Sequence, residues 1–269
     1  MAPPLRIGVI GFGAIGKHVA DALAEEAIPQ AVCVGILVRA ERPDSDPDAP
    51  RLMRDPDAFF AAAPDVVVEV AGHEAVQAHG ERCLSAGADL MVTSVGALVD
   101  EALHARLLRA ARRNGTRLLI PSAGVGALDI LTAAAQGELV SVRMTVIKDA
   151  QSWKGTVAEQ SHALDGLREP TVLYEGPVRE GARLYPQNVN IAAAVALAGM
   201  GLDRTQLRIV ADPADVPHIV EIEAQGHFGR FHFREEIIPT VENRKTGRLV
   251  ALAVVKALRQ LTATEVVGG

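Results

Sequence analysis

The sequence predicts an α/β chain in two parts, a parallel-sheet domain and a second α+β domain with an open mixed sheet. Three observations carry that expectation. An apolar run of strand length, residues 6–10, ends in Gly11-Phe12-Gly13-Ala14-Ile15-Gly16 and passes into the helix-period residues Ile15, Val19 and Leu23. Short apolar runs then alternate with helical stretches as far as Ile120, the pattern of a buried parallel sheet. Beyond Gly126 the runs change to strands that alternate apolar and polar residues, as in a sheet covered on one face.

In the opening motif Gly11 permits the tight turn after the strand, Gly13 lets the backbone approach a pyrophosphate, and Gly16 lets the helix pack closely on the strand. The helix that begins at Ala14 and Ile15 presents unpaired N–H groups to an anion. A bare G-x-G-x-x-G also occurs in turns that bind nothing. Here a second apolar run, residues 31–38, completes the strand-helix-strand unit that the motif requires, so the first domain reads as Rossmann-type with NAD or NADP as cofactor.

Residues 39–56 are rich in proline and aspartate and read as a loop. NAD-specific folds place an acidic residue at the end of the second strand for the ribose 2′-hydroxyl. Arg39 stands there instead, with Arg42 close behind, which favours the 2′-phosphate of NADP. Residues 65–71 form the next strand, followed by Gly72-His73-Glu74 and a helix to about Ala86. Residues 89–93, the turn Ser94-Val95-Gly96-Ala97 and a helix over 101–113 repeat the unit, and residues 116–120 add a strand. Ligands in such sheets lie beyond the carboxyl ends of the strands, which puts Gly72, His73, Ser94 and Gly124 on the cofactor's side.

In the second half a helix is expected over 128–136 and an alternating strand over 141–148. An irregular stretch, 149–170, holds the single tryptophan, Trp153. A strand candidate covers 171–174. Asn188 and Asn190 stand before and at the start of an alanine-rich helix, 191–199, where helix capping alone would account for them. Strands follow at 207–211, 218–224 and 228–237, the last with Phe231 and Phe233 on one face, and an amphipathic helix covers 246–261. The expected domains are 1–125 with 242–269 for the nucleotide, and 126–241 for the substrate and for oligomerisation.

Bulk properties narrow the function. Hydrophobic residues make up 49% and charged residues 22% of the 269, a composition that excludes disorder. A net charge of −6 leaves no basic field for nucleic acid. No run reaches the roughly 18 apolar residues of a membrane span. The apolar start holds four glycines and merges into the nucleotide motif, so it is not expected to be a signal peptide. Cys33 and Cys83 form neither a disulfide framework nor a metal-ligand spacing, so no metal is expected and a cytoplasmic location fits.

Several blocks together resemble the L-aspartate dehydrogenases nearly end to end. They are the glycine fingerprint, Val68-Glu69-Val70-Ala71-Gly72-His73, Ser94-Val95-Gly96-Ala97-Leu98 and Gly124-Val125-Gly126-Ala127-Leu128-Asp129, then Tyr185-Pro186-Gln187-Asn188-Val189-Asn190, Gly201-Leu202-Asp203-Arg204-Thr205-Gln206 and Asn243-Arg244-Lys245-Thr246. The resemblance implies NAD or NADP on the first domain, with Gly124 and Asn190 as further cofactor contacts. It also implies an amino acid or keto acid partner on the second domain, a homo-oligomer formed through that domain, and a C-terminal helix returning to the first. The reaction it implies takes an amino acid to an imine and then to a keto acid and ammonia.

Two departures from the family pattern bear on the site. In Asp212-Pro213-Ala214-Asp215-Val216-Pro217-His218-Ile219-Val220, His218 falls where the family has asparagine and Val220 where it has the catalytic histidine. Residues i and i+2 of a strand share a face, so His218 is the candidate proton carrier, with His227 and His232 behind it. In Ile147-Lys148-Asp149-Ala150 the family's Arg-Lys-Pro is missing. Lys148, as a point charge, and Asn188 are the candidate substrate contacts. An imine or carbonyl reductase on the same scaffold, and a non-catalytic nucleotide sensor, are the alternatives that these departures leave open.

Overall fold

A computed structural model describes residues 3–39, 52–122, 124–186, 190–214, 216–237 and 248–268. The chain divides into two compact units, residues 1–123 with 250–269, and residues 124–249.

In the first unit β1 (Leu5–Ile10), β2 (Ala31–Leu37), β3 (Leu52–Met53), β4 (Val66–Glu69), β5 (Asp89–Val92) and β6 (Leu118–Leu119) form, among the described residues, a six-stranded sheet in the order β3-β2-β1-β4-β5-β6. Each recorded pairing is parallel. The order reverses between β1 and β4, which makes the carboxyl ends of those two strands the place for a ligand. The crossovers are α1 (Ala14–Ala24), α2 (Pro56–Ala61), α3 (His73–Ser85) and α4 (Glu101–Asn114). Local chemistry fixes their ends. Asp100 accepts from the Ala102 and Leu103 N–H groups to start α4, and Gly115 closes it in the left-handed conformation at φ 65°.

Part of the expected loop 39–56 is regular. Leu52 and Met53 pair with Ile36 and Leu37 at the sheet edge, and Asp55 caps α2 with Pro56 in its first turn. A two-residue strand has no period to read, so this segment gave only its prolines and aspartates as a signal. Arg42 lies outside the described residues.

In the second unit α5 (Leu128–Ala134) and β7 (Leu139–Asp149) are followed by short turns, with α6 (Ala158–Ser161), through the irregular stretch. Next come β8 (Thr171–Pro177), α7 (Val178–Leu184), α8 (Asn190–Ala198), β9 (Gln206–Asp212), β10 (His218–Gly226) and β11 (Gly229–Ile237). Among the described residues this sheet has five strands in the order β11-β10-β7-β9-β8, parallel between β7 and β9 and antiparallel elsewhere. Period-two alternation sends Val142, Met144, Val146, Leu207, Ile209, Ile222 and Ala224 to one face, all buried. The chain's own helices cover that face. A Cβ on Gly181 of α7 would meet Leu207 at 2.7 Å, and one on Gly199, just past α8, would meet Val142 at 3.3 Å. The other face carries charge, with Arg234 bonded to Glu221 and Glu236 and Arg208 3.8 Å from Glu175.

The last helix, α9 (Arg248–Thr262), belongs to the first unit, where Val254 and Leu258 are fully buried in the cluster with Ile7, Val9 and Val68. No helix among the described residues is long and apolar enough to cross a membrane.

Candidate active site

A cavity of ≈ 1090 Å³ opens at the carboxyl ends of the first unit's strands, between the fingerprint turn and the start of α3. Gly11, Gly13, Arg39, Gly72 and His73 line it, together with Arg54, Glu74 and His79. Two glycines are required by the geometry. Gly11 has φ 104° and is so close to Ala71 that a Cβ would come within 2.9 Å of it; on Gly16, a Cβ would lie 2.2 Å from the Gly11 carbonyl oxygen. The turn is therefore compressed against the helix start, as a site that brings backbone N–H groups to a pyrophosphate requires. A dinucleotide fits these walls. Arg39 and Arg54 bring positive charge to the cavity wall, and burial, then the Arg82 charge, pushes the His79 imidazole below its usual range.

A fully buried carboxylate holds one of the cavity's turns to a neighbouring turn. Glu69 Oε1 accepts the N–H groups of Ala71 and Gly72 at 2.7 Å each and the Ser94 hydroxyl at 3.0 Å, and Oε2 accepts the Ser94 N–H at 3.2 Å. Burial raises its pKa while those donors, led by the Gly72 and Ala71 N–H groups, pull it down. Glu69 thus ties the Gly72 turn to the Ser94 turn. The short 3-10 helix Val95–Val99 follows the latter.

In the second unit the candidate substrate residues share one end and one face of the sheet. Ile219 pairs with Ile147 and Val220 with Val146, so His218, Val220, Val146 and Lys148 point the same way. Lys148 Nζ lies 5.4 Å from the centre of the buried Trp153 ring, within cation–π range, and Trp153 meets Tyr185 edge-on at 5.7 Å.

Comparison with known proteins decides the family. Residues 11–121 match the family described as "Homoserine dehydrogenase, NAD binding domain", and residues 129–261 match "Aspartate dehydrogenase, C-terminal". The chain is 41% identical over 262 residues to an L-aspartate dehydrogenase of Brucella anthropi, covering 97% of this chain and 98% of that one. It is 42% identical over 259 residues to one of Cupriavidus necator, covering 94% and 96%. The chain belongs to the L-aspartate dehydrogenase family. A solved aspartate dehydrogenase of Thermotoga maritima, at 24% identity, has the same fold with a TM-score of 0.78 over 98% of this chain and 99% of its own. As a member of the family the chain is an NAD(P)-dependent oxidoreductase of the amino-acid dehydrogenase type.

Within this L-aspartate dehydrogenase scaffold the expected residues fall into separate groups. The cavity gathers Gly11, Gly13, Arg39, Gly72 and His73. Ala14, Ile15 and Gly16 form the first turn of α1 but do not line the cavity, and Gly16 is buried against the Gly11 turn. Arg39 Nη1 is paired with Glu74 Oε2 at 2.9 Å, both side chains largely exposed. Gly124 is buried and Asn190 is the exposed first residue of α8, both in the second unit. Asn188 lies outside the described residues. His227 is exposed and 3.3 Å from Glu138, and His232 alternates out of phase with Phe231 and Phe233.

Sequence reasoning passed over Glu69, Arg54, Glu74 and Glu235. Glu69 carried a signal, since a charge inside the run Val66-Val67-Val68-Glu69-Val70 is out of place in a buried strand unless it is bonded. Glu235 carried one too, because it shares the phase of Phe231, Phe233 and Ile237 on the apolar face.

Proposed function

We propose that this enzyme oxidises L-aspartate, or a close amino dicarboxylate, to the imine that water converts to a keto acid and ammonia, with NADP or NAD as hydride acceptor. The observation that carries the reading is identity of about two in five over nearly the whole chain with L-aspartate dehydrogenases, on a fold with a cavity suited to the cofactor. When bound, the nicotinamide would supply the acceptor for the hydride of the substrate Cα. The protein's part is to hold the two partners, carry the amine proton and admit water. The fingerprint turn and the Gly72-His73 turn would hold the pyrophosphate and its ribose, and the family resemblance assigns Gly124 and Asn190 as further cofactor contacts. Arg39 and Arg54 would meet a 2′-phosphate, which favours NADPH. Lys148 meets a substrate carboxylate as a point charge, Asn188 supports it, and His218 moves the proton. The enzyme is proposed to work in the cytoplasm as a homo-oligomer, and light scattering that shows a monomer at micromolar concentration would remove the latter.

The test is cofactor turnover with a panel of amino acids and, in reverse, of keto acids with ammonia. Aspartate and oxaloacetate should lead the panel. Turnover only with other carbonyls or imines would favour a reductase, and no turnover at all would favour a nucleotide sensor. His218→Ala should lower turnover by roughly 10²–10⁴-fold with NADPH affinity unchanged, and full activity in that variant would show His218 to be structural.

A further inference from the structure

The sheet face that holds His218 carries a second titratable group. β11 runs antiparallel to β10 with Val220 opposite Glu235 and His218 opposite Ile237. Side chains of directly opposed residues leave the sheet about 4.5–5.5 Å apart at Cβ, and diagonal neighbours remain within reach of long side chains. Glu235 is therefore beside residue 220 and diagonal to His218, on their face. Val220, small and 2% exposed, stands where the family resemblance puts a histidine and has no proton to offer.

The carboxyl of Glu235 is half held. The Gly126 N–H donates to it, and Gly126 is so close to Phe233 that a Cβ there would come within 2.9 Å of the ring. Glu235 Oε1 is buried and has no hydrogen-bond partner among the described residues, while the residue as a whole is only partly buried. Burial pushes the carboxyl up to about 7, against the pull of the Gly126 N–H. The titratable groups around it are His218 on β10, Lys148 one strand further on the same face, and Asp129 in the first turn of α5 after Gly126. Arg234 and Glu236, its sequence neighbours, point to the opposite face and bond there.

We propose that Glu235 stands in for the missing histidine, exchanging the proton with the substrate nitrogen and sharing it with His218. This rests on the dehydrogenase reading above. An N–H bond of the substrate ammonium would break and an O–H bond form on the Glu235 carboxylate, leaving on nitrogen the pair that becomes C=N when the Cα–H bond gives up its hydride, for which the bound cofactor would supply the acceptor. Water would then add to the C=N carbon with one proton passing to His218, the carboxyl would return its proton to nitrogen, and the C–N bond would break with the carbinol O–H proton following to the departing nitrogen, so that ammonium leaves and the carbonyl forms. A lateral carboxylate also removes a difficulty of distance. His218 is about 6–7 Å along the strand from residue 220 at ~3.3 Å per residue, whereas effective proton and hydride transfer needs contacts near 3–3.5 Å.

The experiment compares wild type, Glu235→Gln, Glu235→Asp and His218→Ala in cofactor turnover from pH 5 to 9, with NADPH affinity measured on each. Glutamine keeps an acceptor for the Gly126 N–H, so a merely structural Glu235 would leave Glu235→Gln active. The expected result is a fall of roughly 10²–10⁴-fold in kcat for Glu235→Gln, loss of the limb of the pH profile near 7, unchanged NADPH affinity and partial recovery in Glu235→Asp. Wild-type kcat and pH profile in Glu235→Gln overturn the proposal. Should wild type turn over nothing in the panel, the dehydrogenase reading fails by itself. Carbon NMR of labelled glutamate side chains then decides separately. A carboxyl titrating near 7 in wild type and missing from Glu235→Gln supports the proton-holding role, and its absence overturns it.

Discussion

Glu69 and Glu235 are both carboxylates on sheets with apolar surroundings, and the protein treats them differently. Glu69 is fully buried, yet its oxygens receive the Ala71, Gly72 and Ser94 N–H groups and the Ser94 hydroxyl. Glu235 receives the Gly126 N–H and keeps a buried oxygen without a partner. A charge saturated with donors is a fixed part of a frame, because each donor lost would leave a buried polar group unpaired. A carboxyl with one oxygen idle gains and loses a proton more readily. The first unit thus uses its acid to tie the Gly72 turn of the cofactor cavity to the Ser94 turn, and the second holds its acid with a raised pKa.

The strongest way to break this contrast is Glu69→Ala. It strands buried N–H groups on the Gly72 and Ser94 turns, and at ~1–3 kcal/mol per stranded donor the loss should reach roughly 3–5 kcal/mol in denaturant unfolding, with NADPH binding lost alongside. A variant as stable as wild type would mean that the two turns hold without it. The next effect is in pH. The folded-state pKa of Glu235 lies above its ordinary value of 4.5, so its contribution to stability is fully present below about 4.5 and is lost as pH rises through about 7. Thermal unfolding of wild type and Glu235→Gln should therefore diverge across that window, the variant gaining on wild type as pH rises. Parallel curves would show an ordinary carboxyl. The smallest effect is expected at the exposed pair Arg39–Glu74, since such pairs contribute ~0–1 kcal/mol and yield readily to a better anion. Arg39→Ala should weaken NADPH several-fold against NADH, and less so at high salt. An unchanged ratio would leave the 2′-phosphate to Arg54.

The fold class was legible because its signals are local. The glycine fingerprint, the valine run before Glu69 and the alternation of residues 231–237 each lie within a few positions, and each describes the environment of its own element. The segments that escaped were short. β3, α2 and α7 span two to seven residues, too few to establish a period. The site was less legible because its contacts join distant positions. Nothing near Glu69 announces that Ser94 will donate to it, and nothing near Val220 announces that Glu235 will stand opposite. Arg54 was hidden for a different reason, since it borders a cavity from a stretch with no periodic pattern. The apolar face of the second sheet has the chain's own helices on it, while the opposite face carries Arg and Glu.

The return of α9 to the first unit has a consequence for how the chain is made. Val254 and Leu258 complete the hydrophobic cluster around β1 and β4, yet they leave the ribosome more than a hundred residues after Leu119. At about 5–20 residues per second, the first half spends on the order of ten seconds with an apolar groove uncovered, while the contiguous second half is completed and closes on itself. During translation the N-terminal half thus exposes apolar surface that only the last helix covers.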